Sequence, residues 1–431
     1  MSYFDRRSVL RTMALGAGCA VAPAARAAFV GQDSRFTRSD EAFLDELIRQ
    51  GCLYFYEQAS PATGQVLDRA RNDGNGARDS RPMASIAATG FGLTALCIAD
   101  HRGYIRHDEV VERVLTTLAW HLDRMPQVQG FFFHFTDVES GRRWRDSELS
   151  SIDTALLLCG VLTTRAYFAD ERIRSLAQQI YERVDWSWML NGGNTFAMGW
   201  NPRFGFFKAR WNHYCELMMI YLLAIGSPTH PVPPEIWKNF SRPQVHYDGL
   251  TYISGNDPIF THQYSQAWFD FRHKHDAYAD YFANSVVATR AHRAFCLSMP
   301  RWYNRDLWGI TASDSRRGYI AWGSLDSRSQ LDGSVVPSAA AGSLPFLPAQ
   351  CLDVLRFMRA RYPQAWGRYG FVDAFNPADR WYNPDVLGID LGIGVLMAEN
   401  LRSELVWQTF MRNAEADRAM QLAGFRPNGL A

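Results

Sequence analysis

Three acidic residues, Glu216, Asp153 and Asp390, stand where a carboxyl group could do acid or base chemistry. Each lies near the start of a segment whose apolar residues follow the spacing of a buried helix. If the N-termini of such helices point into one crater, the carboxyl groups converge on one ligand. Carboxyl groups placed around a ligand in this way can act as general acid and general base.

Glu216 precedes a nearly continuous apolar run, Leu217–Tyr221. A carboxylate among apolar neighbours is costly as an anion, so we expect Glu216 to keep its proton. A carboxylic acid that is neutral near pH 7 is what the protonation of a leaving group requires. The alternative is a glutamate at a helix N-terminus that interacts only with the helix dipole. Spacing alone leaves both interpretations open.

Asp153 and Asp390 also precede apolar helical segments. Asp153 can serve as a cap or first-turn acid of its own helix, which needs no catalytic role. Asp390 stands at the start of a helix that also contains Glu399. The helix dipole favours an ionised carboxylate at that place, which suits a general base.

The sequence contains no Walker-type phosphate loop, no dinucleotide fingerprint after a strand, no His-Glu-x-x-His and no Gly-x-Ser-x-Gly. Its seven cysteines form no Cys-x-x-Cys pair and no Cys/His run with zinc spacing. We therefore expect neither a metal nor an organic cofactor. The formal net charge of +1 gives no indication of a nucleic-acid partner.

Aromatic residues make up 14% of the chain and could either fill the core or offer flat apolar faces to a ligand. We expect several of them, together with two basic residues, to line the same cleft as the acids. The arginine among these residues would offer a fork of donors to ligand hydroxyl groups. The residues are Trp211, Tyr214, Phe132, His134, Arg272, Trp381 and Tyr382.

Apolar periodicity predicts ten helices with few and short β-like segments between them. Ser39 can cap the first helix, and Gly103 and Gly226 are expected to mark the ends of two others. The remaining predicted spans are 85–101, 108–124, 151–168, 171–190, 211–225, 276–297, 347–361, 388–402 and 404–423. Amphipathic helices joined by long aromatic loops fit a toroid of helical hairpins with loops at one end. A helical solenoid is the alternative, but no fixed-period repeat is present.

Residues 1–27 have the pattern of an export signal. Arg6-Arg7 precede a short apolar run, and Ala25-Arg26-Ala27 offers a small-x-small cleavage site. The twin arginines are similar to a Tat signal and predict a periplasmic or secreted protein. No other stretch is long and apolar enough to span a membrane. No linker divides residues 28–431, which we therefore expect to form a single domain.

An ordered set of motifs resembles the glycoamylase-like family, which includes bacterial endo-β-1,2-glucanases of glycoside hydrolase family 144 and domains of cyclic β-1,2-glucan synthases. The central match is Trp211-x-x-Tyr214-x-Glu216, followed by the run Leu223–Pro231. Six further motifs occur in the same order and cover nearly all of residues 28–431. They are Ser85–Gly92, Gly130–Phe135, Ser151–Ala155, Trp308–Asp314, Tyr369–Asn376 and Gly388–Gly392.

This resemblance implies an all-α, (α/α)6 toroid and an anomer-inverting glycoside hydrolase. It implies that Glu216 is the general acid, that Asp390 is the general base and that Asp153 contacts substrate. In relatives the proton transfer can run through a substrate hydroxyl and water, so the usual carboxylate spacing of inverting enzymes need not apply. The chain departs from the family at Ser150, where some glucanases carry a second acid, and at His213 and Cys215 beside Tyr214, where relatives vary.

The function these expectations favour is an endo-β-1,2-glucanase that acts as a monomer on a β-glucan polysaccharide or oligosaccharide. An exo-acting hydrolase and a glycosyltransferring relative are alternatives among enzymes. A carbohydrate-binding protein without catalysis is the alternative outside enzymes, although all three acids are retained. Family resemblance alone does not fix the substrate.

Overall fold

A computed structural model describes residues 36–429, so the predicted signal segment 1–27 lies outside the described residues. Fourteen α-helices make up most of the regular structure in this range, which confirms the all-α class. They are α1 Arg38–Glu57, α2 Ile86–Arg102, α3 His107–Asp123, α4 Ser151–Tyr167, α5 Glu171–Glu182, α6 Trp186–Leu190, α7 Met218–Gly226, α8 Tyr264–Trp268, α9 Tyr281–Leu297, α10 Pro337–Ala341, α11 Pro348–Arg361, α12 Gly388–Ser403, α13 Leu405–Phe410 and α14 Ala414–Leu422.

The strands are two to four residues long and form small antiparallel sheets of two or three strands. They are β1 Arg69–Arg71, β2 Met83–Ser85, β3 Gln127–Val128, β4 Phe131–Phe132, β5 Phe135–Asp137, β6 Leu149–Ser150, β7 Gly199–Asn201, β8 Gly205–Phe206, β9 Gln244–Tyr247, β10 Leu250–Ile253, β11 Lys274–His275, β12 Trp366–Gly367, β13 Gly370–Phe371, β14 Phe375–Asn376, β15 Trp381–Tyr382, β16 Asp385–Leu387 and β17 Arg426–Pro427.

The helices fall into two kinds according to how much of their surface is buried. Helices α2 and α4 are buried around nearly their whole circumference, and α7 is buried at every residue. Helices α3 and α5 bury only one stripe of residues and expose the rest. A helix that is apolar on all sides belongs in the interior, whereas an amphipathic helix covers it. The core therefore lies around α2, α4 and α7.

Helices α2 and α4 approach each other closely at two glycines. A Cβ atom on Gly90 would lie 2.2 Å from the carbonyl oxygen of Leu156. A Cβ atom on Gly160 would lie 2.1 Å from the carbonyl oxygen of Gly90. Both distances are far below van der Waals contact, so only glycine allows this packing. The contact fixes α2 and α4 as one rigid pair.

Short strands hold the starts of α2, α4 and α12 at one end of the molecule. Strands β2, β6 and β16 run directly into these three helices. The backbone of His134 connects two of the starts, because its carbonyl accepts from Ile86 N–H and its own N–H donates to Glu148. The backbone of Asp68 connects the third, since its carbonyl accepts from Gly388 N–H and its N–H donates to Met83.

Two predicted helices are each divided in the structure. The span 171–190 breaks between α5 and α6, where Asp185 donates its backbone N–H to Gln129 and its side chain caps α6. The span 404–423 breaks between α13 and α14, where the Asn413 side chain donates to the carbonyl of Leu162. Tertiary hydrogen bonds thus replace helical ones at both breaks. No helix of residues 36–429 is long and apolar enough to cross a membrane.

Candidate active site

Asp153 occupies the first turn of α4, where Ser150 is the N-cap. The backbone N–H of Asp153 donates to Ser150 Oγ over 3.0 Å, and the Ser150 hydroxyl donates in turn to the Asp153 carboxylate. This reciprocal pair satisfies an otherwise unpaired helix N–H and fixes the direction of the carboxylate. Asp153 is 5% exposed, so the charge is held in a largely dry place.

His134 lies between Asp153 and a second acid, Glu148. Its Nδ1 is 3.3 Å from Glu148 Oε1 and its Nε2 is 3.6 Å from Asp153 Oδ1. The imidazole also stacks on Phe135 with 3.7 Å between ring centroids. One ligand atom from each of the three polar residues lies within 4.8 Å of the others, so this cluster could hold a divalent cation. A protonated His134 would satisfy the two carboxylates equally well.

Asp390 occupies the first turn of α12, whose N-cap Leu387 provides no side-chain cap. Asp390 lines a cavity together with another buried acid, Asp373, which lies in the loop before β14. The backbone N–H of Asp314 donates to Asp373 Oδ2 over 2.7 Å. Burial, and then the charge of Asp390, raise the pKa of Asp373 well above its usual range.

Arg69 supplies positive charge beside this pair of acids. Its Nη1 is 2.6 Å from Asp314 Oδ2 and its Nε is 3.2 Å from Asp68 Oδ2. Asn383 Nδ2 donates to the same oxygen of Asp314 over 3.0 Å. Burial opposes the charge of Arg69, but the two carboxylates keep its pKa above the usual range. The guanidinium is therefore a permanent cation at the edge of the acid cluster.

Glu216 lies two residues before α7 rather than within a helix, because the predicted span 211–225 becomes helical only at Met218. The preceding backbone is used in tertiary contacts, for example from Tyr214 N–H to the carbonyl of Ser241. Ser265 Oγ donates to the Glu216 carbonyl over 2.6 Å and accepts from Met219 N–H over 3.1 Å. The acid is thus attached to the start of α8 by one hydroxyl.

His213 and Asp257 give Glu216 a charged neighbourhood. His213 Nε2 is 3.4 Å from Asp257 Oδ2. The hydrogen bond to Asp257 raises the pKa of His213, and the Glu216 carboxylate acts in the same direction against the effect of burial. Glu216 itself is 6% exposed. The Glu216 carboxyl group, the His213 imidazole and the Asp257 carboxylate are therefore neighbours, although Asp257 follows α7 in the chain.

Trp211 connects the Glu216 segment with the start of α4. Its indole N–H donates to Ser151 Oγ over 2.8 Å, two residues from Asp153. Its backbone carbonyl accepts from the Tyr221 hydroxyl over 2.7 Å, which holds the segment against α7. The loop that carries Glu216 therefore lies at the end of the molecule where α4 begins.

Three of the predicted ligand-facing aromatics are core residues, namely Phe132, Tyr214 and Trp211, whose side chain is also buried. Phe132 has no exposed surface and lies under the Arg183 guanidinium, 5.1 Å from the ring centroid. Tyr214 is likewise fully buried, stacks on Tyr281 with centroids 5.8 Å apart, and forms a 3.2 Å hydrogen bond with His262 Nδ1.

Trp381 and Tyr382 are half-buried on β15, in the same loop region as Asp373. Strand β15 pairs with β14, and the Tyr382 ring stacks on Phe375 with centroids 5.8 Å apart. The following residue, Asn383, reaches Asp314. These two aromatics therefore remain candidates for the surface beside Asp373 and Asp390.

Arg272 is not brought to the acids. It donates to both carboxylate oxygens of Glu404, pairs with Asp270 at 2.9 Å, and lies 4.1 Å above the Trp407 ring. Glu404 follows the last residue of α12, whereas Asp390 is in its first turn. At 1.5 Å per residue the two ends are roughly 20 Å apart. Arg272 is therefore part of a structural ion pair at the opposite end of α12.

Sequence reasoning did not single out Asp373, Asp314, Arg69 or Glu148. Asp373 and Asp314 lie inside two of the family-like motifs, Tyr369–Asn376 and Trp308–Asp314, and Glu148 lies two residues before the N-cap of α4. Asp373 and Asp314 could have been found as acids inside matched motifs. Their pairing could not, since it depends on contacts between distant parts of the chain.

Comparisons with known proteins show that the chain is similar to proteins named as β-1,2-glucan hydrolases. Residues 208–414 match the Glycoamylase family model, which is described as "Putative glucoamylase". The exo β-1,2-glucooligosaccharide sophorohydrolase (non-reducing end) of Parabacteroides distasonis is 28% identical over 90% of this chain. The alignment covers 58% of that relative, so the chain spans less than two thirds of its length.

Two solved structures are similar over most of the chain. The endo-β-1,2-glucanase of Chitinophaga pinensis, in complex with sophorotriose and glucose, has 28% identity and a TM-score of 0.84, covering 91% of this chain and all of the other. A β-1,2-glucanase from Parabacteroides distasonis has 26% identity and a TM-score of 0.82, covering 90% of this chain and 60% of the other. Together with the family model, these relatives confirm the resemblance to the glycoamylase-like family that the sequence motifs indicate.

Proposed function

We propose that this protein is an anomer-inverting glycoside hydrolase that cleaves β-1,2-linked glucans. The observation that carries the proposal is that three buried acids lie at the same end of the molecule. Asp153 and Asp390 stand in the first turns of α4 and α12, whose starts are connected through backbone hydrogen bonds. The Trp211–Ser151 hydrogen bond attaches the Glu216 loop to the same end.

Glu216 acts as general acid in this proposal, and Asp390 as general base. A glycosidic oxygen leaves poorly unless it is protonated as the bond breaks, which requires a neutral carboxylic acid. Water attacks from the other face and must lose a proton to an ionised carboxylate, directly or through a substrate hydroxyl. The α12 N-terminus favours that anion at Asp390. Asp153, fixed by Ser150, holds a sugar hydroxyl.

The substrate class follows from the relatives. Proteins named as an exo-acting sophorohydrolase and as an endo-β-1,2-glucanase are each 28% identical over at least nine tenths of this chain. We propose endo action first and keep exo action as the second candidate because the sophorohydrolase carries that name. Trp381 and Tyr382, half-buried beside the acid cluster, would offer apolar faces to the sugar rings.

The proposed architecture is an (α/α)6 toroid that forms one domain over residues 28–431. It is supported by the alternation along the chain of a buried helix and an amphipathic one, as in the series α2, α3, α4 and α5. In a toroid, the inner ring is buried on all sides and the outer ring covers it. The acids would then lie where the inner helices begin.

The decisive experiment is product analysis on linear β-1,2-, β-1,3-, β-1,4- and α-1,4-glucans. We expect cleavage of the β-1,2-glucan only, with internal products of several lengths from endo action or a single short product from exo action. Proton NMR at early times should show the α-anomer as the first product. A β-anomer would exclude inversion, and no cleavage of β-1,2-glucan by folded protein would exclude the function.

Export is proposed from residues 1–27, on the twin arginines and the small-x-small site. The expected mature N-terminus lies near Ala28, and the folded enzyme would act as a monomer in the periplasm or medium. Mass spectrometry of the exported protein, with size-exclusion chromatography, tests both points. Intact residues 1–27 on a cytoplasmic product would contradict the proposal.

A further inference from the structure

Asp373 and Asp390 form a pair of buried acids that share one cavity. The rest of the cavity wall is largely apolar, with Phe371, Val386 and Leu391 among the lining residues. Both acids are almost completely buried, at 4% and 6% exposure. Two carboxylates in such surroundings cannot both be ionised cheaply, because each charge lacks solvent and repels the other. The pair is therefore expected to retain one proton.

The hydrogen bonds of Asp373 indicate which oxygen could carry that proton. Oδ2 accepts from Asp314 N–H over 2.7 Å, as a carbonyl oxygen would. Oδ1 is buried and receives no N–H or hydroxyl donor from the described residues 36–429. Asp390 is within hydrogen-bonding reach of the Asp373 carboxyl. Two carboxyl groups can share a hydrogen bond only if one of them is protonated.

The surrounding charges favour the proton on Asp373 rather than on Asp390. Asp373 faces the carboxylates of Asp390 and Asp314, and the Arg69 cation that also interacts with it is paired with Asp314 and Asp68. Asp390 has the N-terminus of α12 beside it, which stabilises an anion. Burial and these neighbouring carboxylates raise the pKa of Asp373. An anionic Asp390 beside a neutral Asp373 satisfies both environments.

We propose that Asp373 is a positioning residue that keeps its proton and donates its Oδ1 hydroxyl to the Asp390 carboxylate. The inference rests on the proposed role of Asp390 as general base. During cleavage the water oxygen forms a bond to the anomeric carbon while the bond from that carbon to the glycosidic oxygen breaks. The proton that water loses passes to Asp390, and Glu216 gives its proton to the leaving glycosidic oxygen. The proton on Asp373 stays in place throughout. Its function is to hold the Asp390 carboxylate in one orientation as an anion.

The pair Asp373→Asn and Asp373→Ala tests the proposal. The asparagine amide accepts from Asp314 and donates to Asp390 at every pH, whereas alanine removes the donor. For Asp373→Asn we expect kcat within about 10-fold of the wild type, and for Asp373→Ala a loss of about 100-fold or more, with KM less affected. If the Asp373 proton orients Asp390, wild-type activity should decline at high pH because Asp373 loses that proton. The Asp373→Asn variant should not show this decline.

The pH dependence of the free energy of unfolding gives a second readout that needs no substrate. A native pKa above the unfolded value stabilises the protein fully below the unfolded pKa, and this stabilisation is lost as pH rises through the native pKa. Asp373→Asn should therefore remove part of the decline in stability above about pH 4. The proposal would be overturned if the free energy of unfolding had the same pH dependence in the wild type and in Asp373→Asn. It would also be overturned if Asp373→Asn were as inactive as a folded Asp373→Ala protein.

The two readouts separate this inference from the function on which it rests. If Asp373→Asn changes the pH dependence of the free energy of unfolding but the wild type does not cleave β-1,2-glucan, the function is refuted and the shared proton is supported. If the wild type cleaves β-1,2-glucan but Asp373→Asn leaves the pH dependence of the free energy of unfolding unchanged, the function is supported and the shared proton is refuted. If Asp373→Ala does not fold, the asparagine variant decides through its pH profile.

Discussion

The Ser265 hydroxyl donates a 2.6 Å hydrogen bond to the backbone carbonyl of Glu216. The same oxygen accepts from Met219 N–H in the first turn of α7. These bonds hold the backbone of the proposed general acid and leave its carboxyl group to other partners. A change confined to the carboxyl group should therefore leave this framework intact.

Glu216→Gln should lower kcat on β-1,2-glucan by roughly 10²–10⁴-fold, because glutamine keeps the shape of the side chain and cannot give up a proton. The melting temperature should remain close to that of the wild type. Steady-state kinetics and a thermal melt measure the two effects. Asp390→Asn is the matched variant for the base and should lose activity to a similar degree. Near-normal turnover in a folded Glu216→Gln protein would remove the acid assignment.

The α2 and α12 segments show what local sequence can determine. Ser85 caps α2 and Gly103 ends it in the left-handed conformation, as start and stop signals predict. Helix α12 begins at Gly388 as expected, with Asp390 in its first turn. In both cases the signal lies within a few residues of the boundary. Capping and periodicity therefore predict these elements well.

The segment before Glu216 shows where local reasoning fails. Residues 211–217 have the composition of a helix, but Tyr214 and Trp211 use their backbone groups in contacts with Ser241 and Phe196. Local reasoning could not place Arg272 for the same reason, since its partner Glu404 is more than a hundred residues away in the sequence. Asp373 becomes notable only beside Asp390. The local spacing of residues does not predict contacts between residues that are far apart in the sequence.

Asp153→Asn should weaken substrate binding more than it lowers turnover, if the Asp153 carboxylate holds a sugar hydroxyl. Losing a hydrogen bond to a charged group costs about 1.5–3 kcal/mol, which corresponds to a rise in KM of roughly 10–100-fold. Ser150→Ala is the matched control, because it removes the hydroxyl that orients Asp153 but keeps the charge. Its effect on KM should be smaller. A fall in kcat alone in Asp153→Asn would contradict a binding role.

Exhaustive treatment with EDTA should leave hydrolysis unchanged. The cluster of His134, Glu148 and Asp153 has donors suited to a divalent cation, and this makes the experiment informative. If a protonated His134 satisfies the two carboxylates, chelation removes nothing. Activity is measured before and after dialysis, with metal content determined in parallel. A large loss that one divalent ion restores would show that this cluster is a functional metal site.

Arg272→Met should reduce stability and spare catalysis. The substitution removes the ion pairs with Glu404 and Asp270 but keeps apolar contact with Trp407. Hydrogen bonds to charged groups of this kind contribute about 1.5–3 kcal/mol to the free energy of unfolding. Urea denaturation should report a loss of that order, while kcat and KM at low temperature remain near wild-type values. A selective rise in KM in a stable variant would return Arg272 to the substrate-binding surface.

Acid should destabilise the protein through three buried histidines. Burial lowers the pKa of His121 to about 4, of His262 to about 3 and of His292 to about 4. Because the unfolded chain binds these protons near pH 6.5 and the native state does not, the free energy of unfolding should fall as pH drops from about 6.5 to 4. A shift of this size corresponds to a contribution on the order of 3 kcal/mol per histidine.

Urea denaturation between about pH 7 and pH 5 measures this slope, and His121→Leu should make it shallower by removing one titrating group. His121 Nδ1 donates to the Thr117 carbonyl of its own helix over 2.7 Å, so leucine loses this hydrogen bond and keeps an apolar side chain in its place. The carbonyl of Thr117 can only accept, so His121 Nδ1 carries the hydrogen in the native state. Above about pH 4 the native imidazole is neutral, and it gains its second proton, at Nε2, when the protein unfolds. Equal slopes for the wild type and His121→Leu would show that this histidine does not contribute to acid sensitivity.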